Sequence, residues 1–309
     1  MTVQLLLLIA GLLLIVFGAD WLVDGASAIA RKVGISEFVI GLTIVGFGTS
    51  CPELVVSLTG AFEGNADISI GNVIGSNIFN TLLILGLTAV LSPLAITKEN
   101  KTRDIPITIG VTAILCGCIF LGEIGRIAGV IFLLLFAAYM VYCFKFDNSQ
   151  TEDVPEKETK LPKAIMLTIL GLLFLIFGGK YFVNSSVEIA KALEVSEKFI
   201  AITLLAGGTS MPELVTCIVA AAKKKGQLAL GNILGSNIFN ILLILGCAAV
   251  IRPISCEGMK AVDTAVLFLS AVLVFTAAYT GKKNLLDRFD GILMLCCEAA
   301  YLVWLFATA

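Results

Sequence analysis

The chain has 309 residues, 58% of them hydrophobic and 14% charged, with a mean hydropathy of +1.01 and a formal net charge of −2. So few charges cannot cover a water-soluble body of this size, and the apolar runs are about 20 residues long, the length that crosses hydrocarbon. Histidine is absent, which excludes imidazole metal sites, histidine proton relays and Ser-His or Cys-His nucleophile pairs.

An all-α polytopic membrane protein is therefore expected, with ten spans by hydropathy. They fall near 3–24, 35–62, 68–91, 105–121, 125–145, 163–185, 195–222, 228–251, 261–279 and 285–306. The first run, Val3 to Phe17, has no basic n-region and no small-residue cleavage site, and reads as a retained span. Asp20 and Asp24 come late in that span and are expected at the interface. Glu37, Glu63 and Asp67 lie at span ends and are expected to meet water. Residues 147–162 carry mixed charges and two prolines and read as a solvated hinge. The nine cysteines form no CxxC pair and mostly lie in apolar runs, as small buried hydrophobes do.

Fifteen of the 21 Lys and Arg fall in loops on the side reached after the first span. Positive charge stays inside, so both termini are expected outside and the 147–162 linker in the cytoplasm.

The chain repeats itself at a constant offset of 160 residues. Gly46-Phe-Gly-Thr-Ser-Cys-Pro-Glu53 matches Ala206-Gly-Gly-Thr-Ser-Met-Pro-Glu213, and Gly71-Asn-Val-Ile-Gly-Ser-Asn-Ile-Phe-Asn80 matches Gly231-Asn-Ile-Leu-Gly-Ser-Asn-Ile-Phe-Asn240. Between 41–93 and 201–253, 25 of 53 positions are identical without a gap, and Gly11–Gly18 matches Gly171–Gly178. Five spans per half is an odd number, so the second half enters from the opposite face. Residues 1–146 and 163–309 are thus expected to be inverted five-helix repeats with a site where they meet at the midplane.

Within each motif the residue types suit hard cations. Pro52 has no N–H and clashes with the Gly48 carbonyl, so the helix breaks and frees backbone oxygens inside the membrane. Thr49, Ser50 and Glu53 share a helix face, as do Ser76 and Asn80, and every ligand they offer is an oxygen. Transition metals would usually call for Cys or His. Proline kinks and the Gly71/Gly75 GxxxG pair are by themselves common packing devices, and Ser or Thr often bonds back to the i−4 carbonyl. Asn77 and Asn237 face away from the Ser76/Asn80 stripe and read as helix–helix glue, with Asn72 and Asn232. Glu53 and Glu213 differ, because an intramembrane carboxylate is a functional candidate by default and these two are equivalent under the repeat.

On these motifs the chain resembles the calcium/cation antiporter superfamily, in its prokaryotic sodium/calcium exchanger branch. The resemblance covers nearly the whole chain. It implies two inverted five-helix repeats with broken core helices, and a first and sixth span that slide past the core. It also implies a central Ca²⁺ site of Thr49, Glu53, Thr209 and Glu213. Flanking Na⁺ sites would use the Gly46 carbonyl, Ser50 and Ser76 toward the cytoplasm, and the Ala206 carbonyl, Ser210 and Ser236 toward the outside, with Asn80 and Asn240 lining the middle. Some relatives carry Asp where this chain has Asn240, and in animal potassium-dependent exchangers an acid there is tied to potassium; potassium-independent exchange is expected here.

The expected function is secondary active Na⁺/Ca²⁺ antiport across the cytoplasmic membrane by alternating access. An empty site with two ionised glutamates is costly to carry through a low-dielectric barrier, and either ion load relieves it. The chain is not expected to be an enzyme, and no cofactor, nucleic acid or obligate protein partner is expected beyond the two ions and the bilayer. A proton/cation exchanger of the same fold is the nearest alternative. A passive cation channel is a more distant one.

Overall fold

The computed structural model describes residues 2–146, 159–193, 207–280 and 284–308. Two 32-residue helices, α1 (Thr2–Val33) and α7 (Leu161–Ala192), form the longest packed pair. Between them run α2 (Glu37–Thr49), α3 (Cys51–Glu63), α4 (Asp67–Leu91), α5 (Asn100–Leu121) and α6 (Arg126–Lys145). After α7 come α8 (Met211–Ala222), α9 (Gly226–Ile251), α10 (Ala261–Thr280) and α11 (Arg288–Thr308). Eight of these helices are long and apolar enough to cross a membrane, and α2 with α3, bent by 49°, makes a ninth span. The other expected span, 195–222, is described from Gly207 onward. Residues 147–158 of the expected linker, and Ala206, lie outside the described residues.

The structure moves several expected boundaries. Hydropathy ends the first span at 24, yet α1 continues to Val33 because Gly25, Ala26, Ala28 and Ala30 bury a small-residue face. Helix α7 likewise runs beyond 185, and starts at Leu161 with Pro162 in its first turn, where a missing N–H leaves no bond unmade. Helix α5 starts at Asn100 through a π-helical turn, Asn100–Asp104.

Along α1 the positions Gly11, Ile15, Gly18, Leu22, Gly25 and Ile29 are buried, at the 4-3 spacing of a heptad seam. The partner seam on α7 is Ala164, Thr168, Gly171, Leu175 and Gly178. A Cβ on Gly18 would lie 2.8 Å from the Gly171 carbonyl oxygen, and one on Gly11 would lie 2.9 Å from that of Gly178. Rising numbers on one helix meet falling numbers on the other, so the pair is antiparallel. Only glycine lets backbones approach this closely.

Pro93 and Pro253, equivalent at the same offset, end α4 and α9 and leave extended chain behind them. This produces two-residue strands that an all-helical reading did not anticipate. Leu94–Ala95 pairs antiparallel with Leu285–Leu286, and Glu123–Ile124 with Ile254–Ser255, tying one half to the other.

Burial sorts the helices. In the most apolar windows, 72% of α4 and 83% of α9 is buried, against 22% of α1 and 17% of α11. The helices bearing the Gly-Asn-x-x-Gly-Ser-Asn motif therefore form the centre. The outer ones expose Leu6, Phe120, Ile127 and Val303, an apolar surface suited to lipid. Three of the nine cysteines, 143, 217 and 256, are buried as expected; Cys296 and Cys297 are exposed instead, on the outward side of α11.

Candidate functional site

The break before Pro52 turns the chain at Ser50, with φ −84° and ψ 7°. Ser210 before Pro212 repeats the turn at φ −87° and ψ 7°. Each turn leaves its Glu in the first turn of the following helix, α3 or α8, aimed back into the bundle. Glu53 and Glu213 are both 0% exposed.

Each glutamate is held by a serine from the other half of the chain. Ser50 Oγ donates to Glu213 Oε1 at 2.9 Å, and Ser210 Oγ donates to Glu53 Oε1 at 3.0 Å. A second, longer bond comes from the same half: Ser76 Oγ to Glu53 Oε1 and Ser236 Oγ to Glu213 Oε1, both 3.5 Å. Ser236 Oγ also lies 3.4 Å from the Gly46 carbonyl oxygen.

These contacts correct the expected grouping. Ser76 does not sit with Gly46 and Ser50. It sits with Glu53 and Ser210, whereas the Gly46 carbonyl and Ser50 sit with Ser236 and Glu213. The physical reason is that α9 packs against α2: a Cβ on Gly231 or Gly235 would run into the backbone at Phe38 or Leu42. That crossing carries Ser236 to Gly46. For the GxxxG pair Gly71/Gly75, the counterparts of Phe38 and Leu42 at the 160-residue offset fall within 194–206, outside the described residues.

Thr49 Oγ1 lies 3.1 Å from two acceptors, its i−4 carbonyl at Val45 and Asn232 Oδ1 of the other half; the first is the local bond that threonines in helices usually make. Thr209 Oγ1 is buried without a hydrogen-bond partner.

Asn72 and Asn232 behave as glue within each half. Asn72 Nδ2 donates to Ser57 Oγ at 3.0 Å and to the Glu53 carbonyl at 3.1 Å, and Asn232 Nδ2 donates to Cys217 Sγ at 3.3 Å. Asn77 and Asn237 are glue between the halves, but they are not remote from the Ser76/Asn80 stripe. Asn240 Nδ2 donates to Asn77 Oδ1 at 2.9 Å and Asn80 Nδ2 to Asn237 Oδ1 at 3.2 Å. Both contacts occur where α4 and α9 loosen into π-helical turns, Asn80–Ile84 and Phe239–Leu245. Such turns recur at functional sites. No residue-spacing rule announced them.

The unpaired atoms are the most informative feature. Among the described residues ten buried side-chain oxygen atoms find no partner, and five of them belong here: Glu53 Oε2, Glu213 Oε2, Asn80 Oδ1, Asn240 Oδ1 and Thr209 Oγ1. An unmade buried hydrogen bond costs about 1–3 kcal/mol, more for a charged group. Two symmetric pairs of such acceptors, with no basic residue paired to either carboxylate among the described residues, make a centre short of positive charge. Among the described residues no group of three or more His, Cys, Asp or Glu exists to hold a metal, so the acceptor set here is two carboxylates with neutral oxygens.

Away from the centre, Asp20 and Asp24 pair with Lys223 at 2.7 and 2.5 Å and stay about half exposed, in keeping with an interfacial place. Glu37 is not simply hydrated: it pairs with Lys225 at 2.9 Å and its side chain is 20% exposed. Two buried acids, Asp104 and Glu298, were not singled out in the sequence. Asp104 is gripped by adjacent Arg103 (2.8 Å), with Tyr139 and Asn100 completing its bonds. Glu298, 3% exposed in mid-α11, keeps Oε2 unpartnered.

Residues 3–145 and 163–307 match the family model described as sodium/calcium exchanger protein. The chain is 37% identical to a putative antiporter, CaxA, of Alkalimonas amylolytica over the whole of both chains. It is 34% identical to the sodium/calcium exchanger MaX1 of Methanosarcina acetivorans, covering 99% of each. Among solved structures it is similar to the sodium-calcium exchanger NCX_Mj soaked with Na⁺ and Ca²⁺, with a TM-score of 0.86 at 34% identity over 97% of this chain and 98% of that one.

Proposed function

Because the chain belongs to the sodium/calcium exchanger family, a family of cation antiporters, we propose that it exchanges Na⁺ for Ca²⁺ across the cytoplasmic membrane by alternating access, without a requirement for K⁺. The observation that carries this reading is the pair of buried glutamates, each bonded by the other half's serine and each left with one unpartnered oxygen.

Ca²⁺ takes six to eight oxygens, and a centre built of Glu53, Glu213, Thr49 and Thr209 offers two charges that match its own. Na⁺ would occupy the two serine groups beside it: Ser50, Ser236 and the Gly46 carbonyl on one side, Ser76 and Ser210 on the other, where the repeat makes the Ala206 carbonyl the expected counterpart of Gly46. Asn80 and Asn240 supply neutral oxygens between them. With Asn at both positions the centre keeps two acids, which supports K⁺ independence.

Antiport follows from the charge balance. Two ionised carboxylates without a cation cannot cross a low-dielectric barrier cheaply, whereas either ion load neutralises them. The inverted halves, 1–146 and 163–309, joined by the 147–162 linker, give two equivalent ways of opening that centre, one to each side, with the α1–α7 pair sliding as a unit. The excess of positive charge in the loops on one side supports a cytoplasmic linker with both termini outside. The reading is tested by Glu53→Gln and Glu213→Gln in everted vesicles: each is expected to abolish ⁴⁵Ca²⁺ uptake driven by a Na⁺ gradient, and full activity in both would refute the assignment.

A further inference from the structure

We propose that Thr81, Asn237 and Asn77 are positioning residues that turn the carboxamide oxygens of Asn80 and Asn240 toward the ion path. The inference rests on reading the Glu53–Glu213 centre as the transport site. A carboxamide has one end that attracts cations and one that repels them, and its two ends are nearly the same size. Something must decide which end an ion meets.

Here the decision can be traced to two main-chain carbonyls, which only accept. The Thr81 hydroxyl donates to the Asn77 carbonyl at 2.8 Å. Its proton is thereby committed, so its oxygen can only accept, and it does so from Asn237 Nδ2 at 2.8 Å. That fixes the other end of Asn237, Oδ1, against Asn80, which must present Nδ2 to it at 3.2 Å. The Asn80 oxygen is therefore the end left over, buried and unpartnered.

The second arm is shorter. Asn77 Nδ2 donates to the Asn237 carbonyl at 3.1 Å. Its Oδ1 then faces Asn240, which presents Nδ2 at 2.9 Å and leaves its own oxygen unpartnered. All five residues are at most 4% exposed, so water does not compete for these bonds. Turning any one carboxamide over would set two oxygens or two N–H groups against each other along its arm. The lattice has a single polarity, and that polarity ends in two oxygens.

The two halves are not alike in this. The counterpart of Thr81 is Ile241, so the Asn80 arm depends on a hydroxyl that a substitution can remove, while the Asn240 arm starts on backbone alone. This asymmetry supplies the test, ⁴⁵Ca²⁺ uptake into Na⁺-loaded proteoliposomes. Thr81→Val frees Asn237 to turn over and is expected to raise the half-saturating Ca²⁺ concentration about three- to tenfold, the loss of roughly one buried hydrogen bond. Thr81→Ser, which keeps the hydroxyl, should stay within about twofold of wild type.

The decisive arm is Asn80→Asp. A carboxylate offers an oxygen whichever way it faces, but with Thr81 in place it meets the Asn237 oxygen head on. With Thr81→Val, Asn237 can turn and donate to it. The effect of Thr81→Val should therefore reverse sign: weakening Ca²⁺ uptake with Asn80, strengthening it with Asp. A purely structural role gives the same sign in both backgrounds, and that result, or no effect in either, overturns the inference while Glu53→Gln remains inactive. If Glu53→Gln is fully active, the site reading falls and this inference with it. Thr81→Ala, which removes the hydroxyl without Val's second methyl, repeats the comparison should Thr81→Val fail to fold.

Discussion

Glu213→Gln offers a physical test that needs no transport. Glu213 is 0% exposed; its Oε1 accepts from Ser50 at 2.9 Å and its Oε2 has no partner. In ion-free buffer this carboxylate shares a buried centre with Glu53, and among the described residues no basic side chain balances either. Exchanging the acid for its isosteric amide removes one uncompensated charge, a change worth about 1–4 kcal/mol in buried ionic clusters. The variant is therefore expected to be at least as stable as wild type without ions. With Ca²⁺ at about 100 times its dissociation constant, wild type should gain about 2.7 kcal/mol, or about 5 °C in Tm at about 2 °C per kcal/mol for a chain of this size. In the variant one charge of Ca²⁺ is left unmatched, at a cost of about 3–5 kcal/mol. Affinity falls by about two to four orders of magnitude and the thermal shift all but disappears. Thermal denaturation of purified protein in Ca²⁺-free and Ca²⁺-containing buffer measures both. A variant less stable than wild type without ions, yet shifted by Ca²⁺ as much as wild type, would refute the reasoning.

Two further outcomes concern the scaffold. Arg103 and Asp104 form a buried pair, their side chains 7% and 0% exposed, so Arg103→Met should cost about 3–5 kcal/mol in denaturation, while Arg103→Met with Asp104→Leu should recover most of it. Gly18→Ala places a methyl 2.8 Å from the Gly171 carbonyl and should destabilise by about 1–3 kcal/mol. Gly117→Ala, whose Cβ meets nothing within 4 Å, should instead leave thermal stability unchanged or raised by up to about 1 kcal/mol.

Much of this was legible because membranes make polar residues expensive. Glu53 and Glu213 stood out against apolar runs, the 160-residue offset paired them, and Pro52 and Pro212 told where the helices break. What the sequence did not disclose is what depends on helix crossing. Spacing puts Ser76 and Asn80 on one face, but only the packing of α9 on α2 shows that Ser236, not Ser76, approaches Gly46. The helix face of Asn77 and Asn237, turned away from the Ser76/Asn80 stripe, suggested glue, yet concealed that this glue bonds Asn80 and Asn240 directly. The π-helical turns have no compositional signature. Arg103 and Asp104 fall between the expected spans 68–91 and 105–121, and only the packing brings Tyr139 and Asn100 onto Asp104. Conversely, one sign was present but mute: Asp20 and Lys223 pair here, and their counterparts at the offset, Lys180 and Glu63, carry the opposite charges.

The exchange itself is decided by ion-replacement flux in proteoliposomes containing the purified protein, following ⁴⁵Ca²⁺ against an imposed gradient of Na⁺, K⁺, Li⁺ or H⁺. Uptake driven by the Na⁺ gradient, unchanged by K⁺ and absent with K⁺ or H⁺ gradients alone, is the result expected here. Uptake driven by a pH gradient without Na⁺, or Ca²⁺ flux that needs no counter-ion, would contradict it.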